Sequence, residues 1–233
     1  MVPPPVAVPT LRAEREIFAG GASVLLACDE VGRGALAGPV TVGLVLIDAS
    51  VRRMPAGLRD SKLLSEPRRE QMAPKAAAWV RASAVGDASA KEIDELGIMA
   101  CLGLAGARAF AALAFALGDE VNEVDDAPLL LDGNHDWLSI AIEHRARVVT
   151  RIKADRDCAS VAAASVIAKV HRDRGMRRAH DDVPVYSWDE NKGYASRAHF
   201  AAIDEHGPNE LHRSTWLHDR SPTAPALFDL GVG

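Results

Sequence analysis

Two segments of strand length, 22–30 and 40–48, are apolar at nearly every position rather than at every second one. A strand of that kind has no side left for water, so the sheet that holds it must be covered on both faces. The Gly-rich connection between them reads as a hairpin. Punctuation predicts the rest. Thr10 caps a short helix that Gly20-Gly21 ends. Ser65, Glu66 and Pro67 open a helix running to about residue 78, and 79–87 reads as a third strand. A helical pattern resumes at Ser89, breaks at Gly97 and continues to Leu117. Short buried strands follow at 128–133 and 147–153, then a long helix over 157–179 and another near 196–206. The expectation is an α/β fold: a mixed five-stranded sheet flanked by helices, with a helical C-terminal extension. The chain divides accordingly into a tail and short helix (1–21), a sheet-bearing catalytic domain (22–180), and a helical extension with its own tail (181–233).

At 233 residues and 48% hydrophobic content, such a fold can bury a sizeable core without cross-links. Cys28, Cys101 and Cys158 are odd in number, far apart and form no C-x-x-C, so neither a disulfide framework nor a cysteine zinc site is expected. A reducing, cytoplasmic setting fits that usage. Residues 1–9 lack the basic start and apolar run of a secretory signal. The most apolar stretches, 35–49 and 100–117, are interrupted by Gly38-Pro39 and by Arg108, and no membrane span is expected. With 27 basic and 32 acidic residues the net charge is −5, which argues against a nonspecific nucleic-acid coat. Within this acidic chain, 153–178 is nevertheless a basic segment.

Acidic residues recur at one structural place, the C-terminal end of a buried strand: Asp29 with Glu30, Asp132, and Asp155 just past the fifth strand. Ligand and catalytic groups of open α/β sheets gather outside the strand ends, whereas a single carboxylate beside glycine is commonly a turn former. Several carboxylates converging would repel one another unless a cation compensates them. An all-oxygen set suits Mg²⁺ or Mn²⁺, and two such ions can activate a water and stabilise a leaving oxygen in phosphodiester hydrolysis. Neighbouring strand residues face opposite ways, so Asp29 and Glu30 share a site only if the strand ends or bulges there, which Gly32 favours.

Cys28-Asp29-Glu30-Val31-Gly32-Arg33-Gly34 resembles the start of the prokaryotic type 2 ribonucleases H, ribonuclease HII. The likeness continues through Asp60-Ser61-Lys62, Leu130-Leu131-Asp132-Gly133, Lys153-Ala154-Asp155 with 160–170 and Arg172-Asp173, then Gly193-Tyr194, His199, Gly207 and His212-Arg213-Ser214. It spans roughly 22–216. The resemblance implies a ribonuclease-H-like fold with metal-binding catalytic carboxylates at Asp29, Glu30, Asp132 and Asp155, holding two Mg²⁺ or Mn²⁺ ions. Aspartate at the fourth position sides with type 2 over the related type 3 enzymes. It further implies that Gly32, Arg33 and Gly34, with Tyr194, read the junction between a ribonucleotide and a following deoxyribonucleotide. Ser61, Lys62 and Lys153 would lie on the substrate side. The implied activity is endonucleolytic cleavage of the RNA strand of RNA/DNA hybrids, and on the 5′ side of ribonucleotides embedded in duplex DNA, leaving 3′-hydroxyl and 5′-phosphate ends. The partner is nucleic acid, with no membrane, and the protein is expected to act as a monomer.

Outside that resemblance the same residues have plainer readings. A lone G-x-G is a tight turn, and a lysine in a polar loop is solvated. Lys169, Arg172, Arg174, Arg177 and Arg178 could face a nucleic-acid backbone, or simply form the wet side of a helix. Ala162-Ala163-Ala164 reads as packing. His199, His206 and His212 match no short zinc pattern and read as surface or capping residues, with His199 and His212, which match family positions, kept as structural or substrate-side candidates. Two departures from the family pattern stand out: Leu63 where a second lysine is common, and Trp216 where phenylalanine is usual. Rival functions are a DNA-only nuclease or integrase of the same fold, a noncatalytic hybrid-binding module and a small-molecule phosphatase.

Overall fold

A computed structural model describes residues 8–142 and 147–217. Most of the Pro-rich N-terminal stretch and the tail after Trp216 lie outside the described residues. Five strands, β1 (Val24–Val31), β2 (Val40–Asp48), β3 (Ala82–Ala88), β4 (Leu129–Asp132) and β5 (Val148–Arg151), form one sheet in the order β3-β2-β1-β4-β5. The hairpin is real: β1 pairs antiparallel with β2 from Val24 opposite Asp48 to Val31 opposite Thr41. β3 continues antiparallel, while β4 and β5 add in parallel. The sheet is therefore mixed, as the apolar runs required. The helices are α1 (Arg12–Ala19), α2 (Glu66–Trp79), α3 (Ala90–Leu96), α4 (Ile98–Leu117), α5 (Ser139–Ile142), α6 (Ala154–Asp157), α7 (Ala159–Asp182), α8 (Trp188–Asn191) and α9 (Arg197–His206).

Alternation divides the core. Leu26, Cys28, Val42, Leu44 and Leu46 face α4, packing on Leu102, Ala105, Ala109 and Leu113. Leu25, Ala27, Val45, Ile47 and Leu130 face α7, with α2 and Leu11 closing the layer. α7 lies unusually close to the sheet. A Cβ on Gly43 would stand 2.5 Å from the Ala164 carbonyl oxygen, and Ala162, Ala163 and Ala164 are all fully buried. Small residues on both sides set that spacing, as the alanine run suggested. A third cluster of Ala37, Met176, Tyr186, Trp188, Ala202 and Ile203 fastens the C-terminal extension to the end of α7 and to the loop after β1. By length and apolarity α4 would suffice to cross a membrane. Here one side of it is spent on the sheet, and Arg108 bonds the Asp87 carbonyl at 2.7 Å and Glu92 at 2.6 Å.

Several boundaries differ from the sequence expectation for identifiable reasons. Leu11, not Thr10, stands at the N-cap of α1, and Thr10 Oγ1 reaches the Arg12 N–H only at 3.4 Å; the Thr10 N–H donates to the Asp157 carbonyl at 2.9 Å and its carbonyl accepts from Ala159 at 3.0 Å, which ties this stretch alongside Cys158. Strand β3 begins at Ala82 rather than 79, since Trp79 is still helical and Val80 turns the chain. β5 stops at Arg151, and the long helix divides into α6 and α7 at Cys158, whose φ of −111° and ψ of 125° are extended.

The start of α3 is the best-formed helix end. Ser89 Oγ accepts from the Glu92 N–H at 3.2 Å, and the Glu92 carboxylate accepts from the Ser89 N–H at 2.8 Å. Arg108, then the Ser89 amide, hold the Glu92 carboxyl down to about 2. Ser89→Ala should cost about 1 kcal/mol, seen as a fall of roughly 2–4 °C in melting temperature for a chain of this size. An unmoved melting curve would show that Arg108 alone holds this end.

Candidate active site

The ends of β1 and β4, together with α6, bring the four predicted carboxylates to one edge of the sheet. Asp29 and Glu30 are consecutive in β1, and the register with β2 runs unbroken past both, with Asp29 opposite Gly43 and Glu30 opposite Val42. No bulge unites them, contrary to the expectation. They share the site because β4 stops pairing with β1 at Cys28, which leaves the last residues of β1 open on that side. Asp29 follows the alternation toward α7 and is 3% exposed. Burial, then Glu30, then Asp132 and Asp155, push its carboxyl well above the usual range, while Ser165 pulls the other way. Burial also raises Glu30, with Asp132 adding to it and Arg33 opposing. One Glu30 oxygen lies 3.7 Å from Arg33 Nη1; the other, Oε2, is buried without a hydrogen-bond partner.

Asp132 ends β4 and builds the next part of the site. Its Oδ1 accepts from the Ala154 N–H at 2.6 Å and more distantly from Asp155 at 3.4 Å, so one carboxylate anchors the turn that presents another. Lys153, just before, takes the left-handed conformation at φ 62°, costly for a residue with a Cβ and tolerated because that turn is pinned. Asp155 is buried, and burial, Asp132 and Asp60 raise its carboxyl.

Lys62 Nζ lies 3.4 Å from Asp155 Oδ2. Burial lowers the affinity of this amine for its proton, but Asp29, Asp155 and Asp60 outweigh it and push it up to about 12. The lysine is therefore a counter-charge to the acidic cluster. Among the described residues no three carboxylate, imidazole or thiol groups stand in a closed ligand shell. The donor set nevertheless fits a hard divalent cation: oxygen ligands only, carboxyls that resist ionising together, and an unpartnered Glu30 oxygen.

The remaining predicted residues separate. Gly32 N–H donates to Tyr194 Oη at 3.1 Å, so the loop and the tyrosine are one unit. Lys169 and Arg172 lie 5.5 and 5.3 Å from the centre of the Tyr194 ring. Arg33 and Gly34 are exposed, as is Lys153. Ser61 is not presented outward: it is 3% exposed, and its Oγ bonds Ser165 Oγ at 2.9 Å. The basic helix face is mostly spent internally. Lys169 pairs with Asp173 at 2.6 Å, Arg174 with Glu70 at 2.5 Å, and Arg177 with Glu66 at 2.7 Å. Arg172 is buried and donates to the carbonyls of Pro39, Lys192 and Ala37. Of that group, Arg174 and Arg178 stay exposed, the first of them ion-paired.

His199 and His212 are structural. Their Nε2 atoms are 3.0 Å apart, His199 Nδ1 is 2.9 Å from the Tyr194 carbonyl, and His212 Nδ1 accepts from the Asn209 N–H at 2.8 Å. One assignment of protons satisfies all of these contacts with both rings neutral. Sequence reasoning gave no role to Asp60, a buried carboxylate that caps the Lys62 turn at 2.9 Å, nor to Arg213. Asp60 was detectable through its place in the Asp-Ser-Lys motif; nothing in a sequence marks an arginine as buried.

A family model described as Ribonuclease HII matches residues 26–218. Ribonuclease HII of Streptomyces griseus is 44% identical over 218 residues, covering 92% of this chain and 86% of that one. Among solved structures, ribonuclease H2 from Pyrococcus horikoshii OT3 is similar at a TM-score of 0.62 and 26% identity, covering 83% and 94% of the two chains. Bst-RNase HIII, solved in complex with Mn²⁺, shares the fold at a TM-score of 0.64 and 21% identity, over 85% of this chain and 67% of that one. The sheet order, the helical C-terminal part and the acidic edge define a nuclease of the ribonuclease H type, a hydrolase acting on nucleic acid. Within that class the chain belongs to the ribonuclease HII family, whose activity is cleavage of the RNA strand of RNA/DNA hybrids.

Proposed function

We propose that this enzyme incises duplex DNA on the 5′ side of an embedded ribonucleotide as well as cutting continuous hybrids, leaving 3′-hydroxyl and 5′-phosphate ends. The observation carrying the reading is the 3.1 Å contact from Gly32 to Tyr194, which sets a glycine loop and an aromatic ring beside the acidic edge. A glycine loop lets backbone groups approach a sugar closely, and only a ribose offers a 2′-hydroxyl there. The Tyr194 ring packs on the following sugar and disfavours a hydroxyl at that position.

Asp29, Glu30, Asp132 and Asp155 would hold two Mg²⁺ or Mn²⁺ ions. When bound, such ions would supply Lewis-acid polarisation of the phosphoryl group and activation of a water. The Mn²⁺ of the ribonuclease HIII complex belongs to that protein; for this chain the support is the oxygen donor set and its raised carboxyls. Lys62, 3.4 Å from Asp155, would neutralise part of that acidic charge and stands within reach of a substrate phosphate at the same edge. Asp132 holds the Asp155 turn throughout.

The test is a duplex carrying one ribonucleotide, beside the same duplex in all-DNA form, with Mg²⁺, Mn²⁺ or chelator. Cutting 5′ to the ribonucleotide, abolished by chelator and absent from the all-DNA duplex, is expected. Equal cutting of both duplexes would favour a general DNA nuclease and remove the sugar-reading role.

A further inference from the structure

Arg172 and Arg213 are 1% and 0% exposed, and all their hydrogen bonds described here go to main-chain carbonyls. The two divide the task. Arg172 ties Ala37 and Pro39 to Lys192, and so fixes the base of the loop to the segment bearing Tyr194. Arg213 grips the loop itself: Nη2 donates to the Gly32 carbonyl at 2.6 Å and to Gly38 at 3.1 Å, and Nη1 donates to Arg33 at 2.8 Å. Pulling the Gly32 and Arg33 carbonyls inward turns the N–H groups of the next residues, Arg33 and Gly34, the other way. Both residues are exposed, and among the described residues neither N–H has an acceptor.

The arginine is itself braced. The Trp216 ring lies 4.7 Å from its guanidinium carbon. Asp94 accepts from the Ser214 and Thr215 N–H groups at 2.8 and 3.0 Å, which fastens the segment to α3. A guanidinium offers five donors in a rigid plane and can hold several carbonyls in fixed relation, which a single ammonium cannot.

We propose that Arg213 is a positioning residue for ribose recognition: by fixing the Gly32 and Arg33 peptide planes it aims the Arg33 and Gly34 amides at the substrate sugar, so that junction selectivity depends on it more than bond cleavage does. This rests on the junction reading above. Arg213→Lys keeps the charge and loses the fork. Its rate on a single embedded ribonucleotide should fall at least about tenfold, the equivalent of roughly 1.4 kcal/mol, while its rate on a continuous hybrid falls less than about threefold. The Mg²⁺ concentration for half-maximal activity should hold, since the carboxylates are untouched. Asp94→Ala loosens the same segment from outside the loop and should shift the ratio in the same direction by a smaller factor.

A wild-type enzyme with no preference for the junction would sink the reading on which this rests. A wild-type preference retained in Arg213→Lys would sink the positioning role alone. Loss of folding in both variants, followed by circular dichroism, would also overturn it, because the arginine would then serve the whole structure rather than the loop.

Discussion

Asp29→Asn is expected to abolish cutting and yet to raise the melting temperature in chelator at neutral pH. The loss follows from the site's electrostatics. On the proposed two-ion reading, removing one of four anionic ligands withdraws several kcal/mol of stabilisation of the reacting phosphoryl group, a fall of at least about a thousandfold in rate. The stability gain follows from linkage. Burial and the neighbouring Glu30, Asp132 and Asp155 push the Asp29 carboxyl well above its usual range, so the fold favours its protonated form. That contribution is fully present below the ordinary carboxylate range and is lost as pH rises through the raised value. At neutral pH the ion-free wild type thus carries the cost of either holding a proton or burying a repelled charge at this position, and an amide carries neither. The gap between the two melting temperatures should be near zero in acid and open as pH rises, and Mg²⁺ should raise only the wild type. Thermal melts at acid and neutral pH check this; a variant less stable at neutral pH would mean that Asp29 is held as an anion by something other than a cation.

Gly32→Ala is expected to disable recognition through the backbone. Gly32 sits at φ +82°, and a Cβ there would meet Arg172 Nε at 2.1 Å and the Pro39 carbonyl at 2.7 Å. The left-handed conformation and the overlap together cost roughly 2–4 kcal/mol. Relief requires Gly32 to move, which breaks its bond to Tyr194 and its carbonyl's bond to Arg213. Cutting at an embedded ribonucleotide should fall about a hundredfold. Gly34→Ala is the steric control: a Cβ there meets nothing within 4 Å, so stability should change by less than about 0.5 kcal/mol. Equal destabilisation by both substitutions would show that loop entropy, not this close approach, sets the need for glycine.

What could be read from the residues was what depends on pattern. The unbroken apolar runs of β1 and β2 demanded two covered faces, and Gly97 did break the helices at φ 80°. The carboxylates stood out because each lies at or just past the end of a strand. What escaped depends on partners distant in the chain. Lys169, Arg174 and Arg177 looked like a cationic face until α2 supplied Glu66 and Glu70 and α7 supplied Asp173. Ser61 looked like a substrate-side hydroxyl until Ser165 met it from the other side. Thr10 had the chemistry of a cap, but its hydroxyl reaches the Arg12 N–H only at 3.4 Å, with its main chain claimed by Asp157 and Ala159. Asp29 and Glu30 share their site through the early end of β4, a property of the neighbouring strand rather than of their own.

The order of the parts along the polypeptide has a consequence for its manufacture. Every acidic group of the cluster lies at or before Asp155, whereas the guanidinium fork that braces the Gly32 and Arg33 peptides arrives with Arg213. A ribosome therefore releases the acidic edge before the residue that fixes the loop beside it. A nascent chain paused between the two carries all four acids beside an unbraced loop, and on the proposed reading selectivity comes later in translation than the acids do.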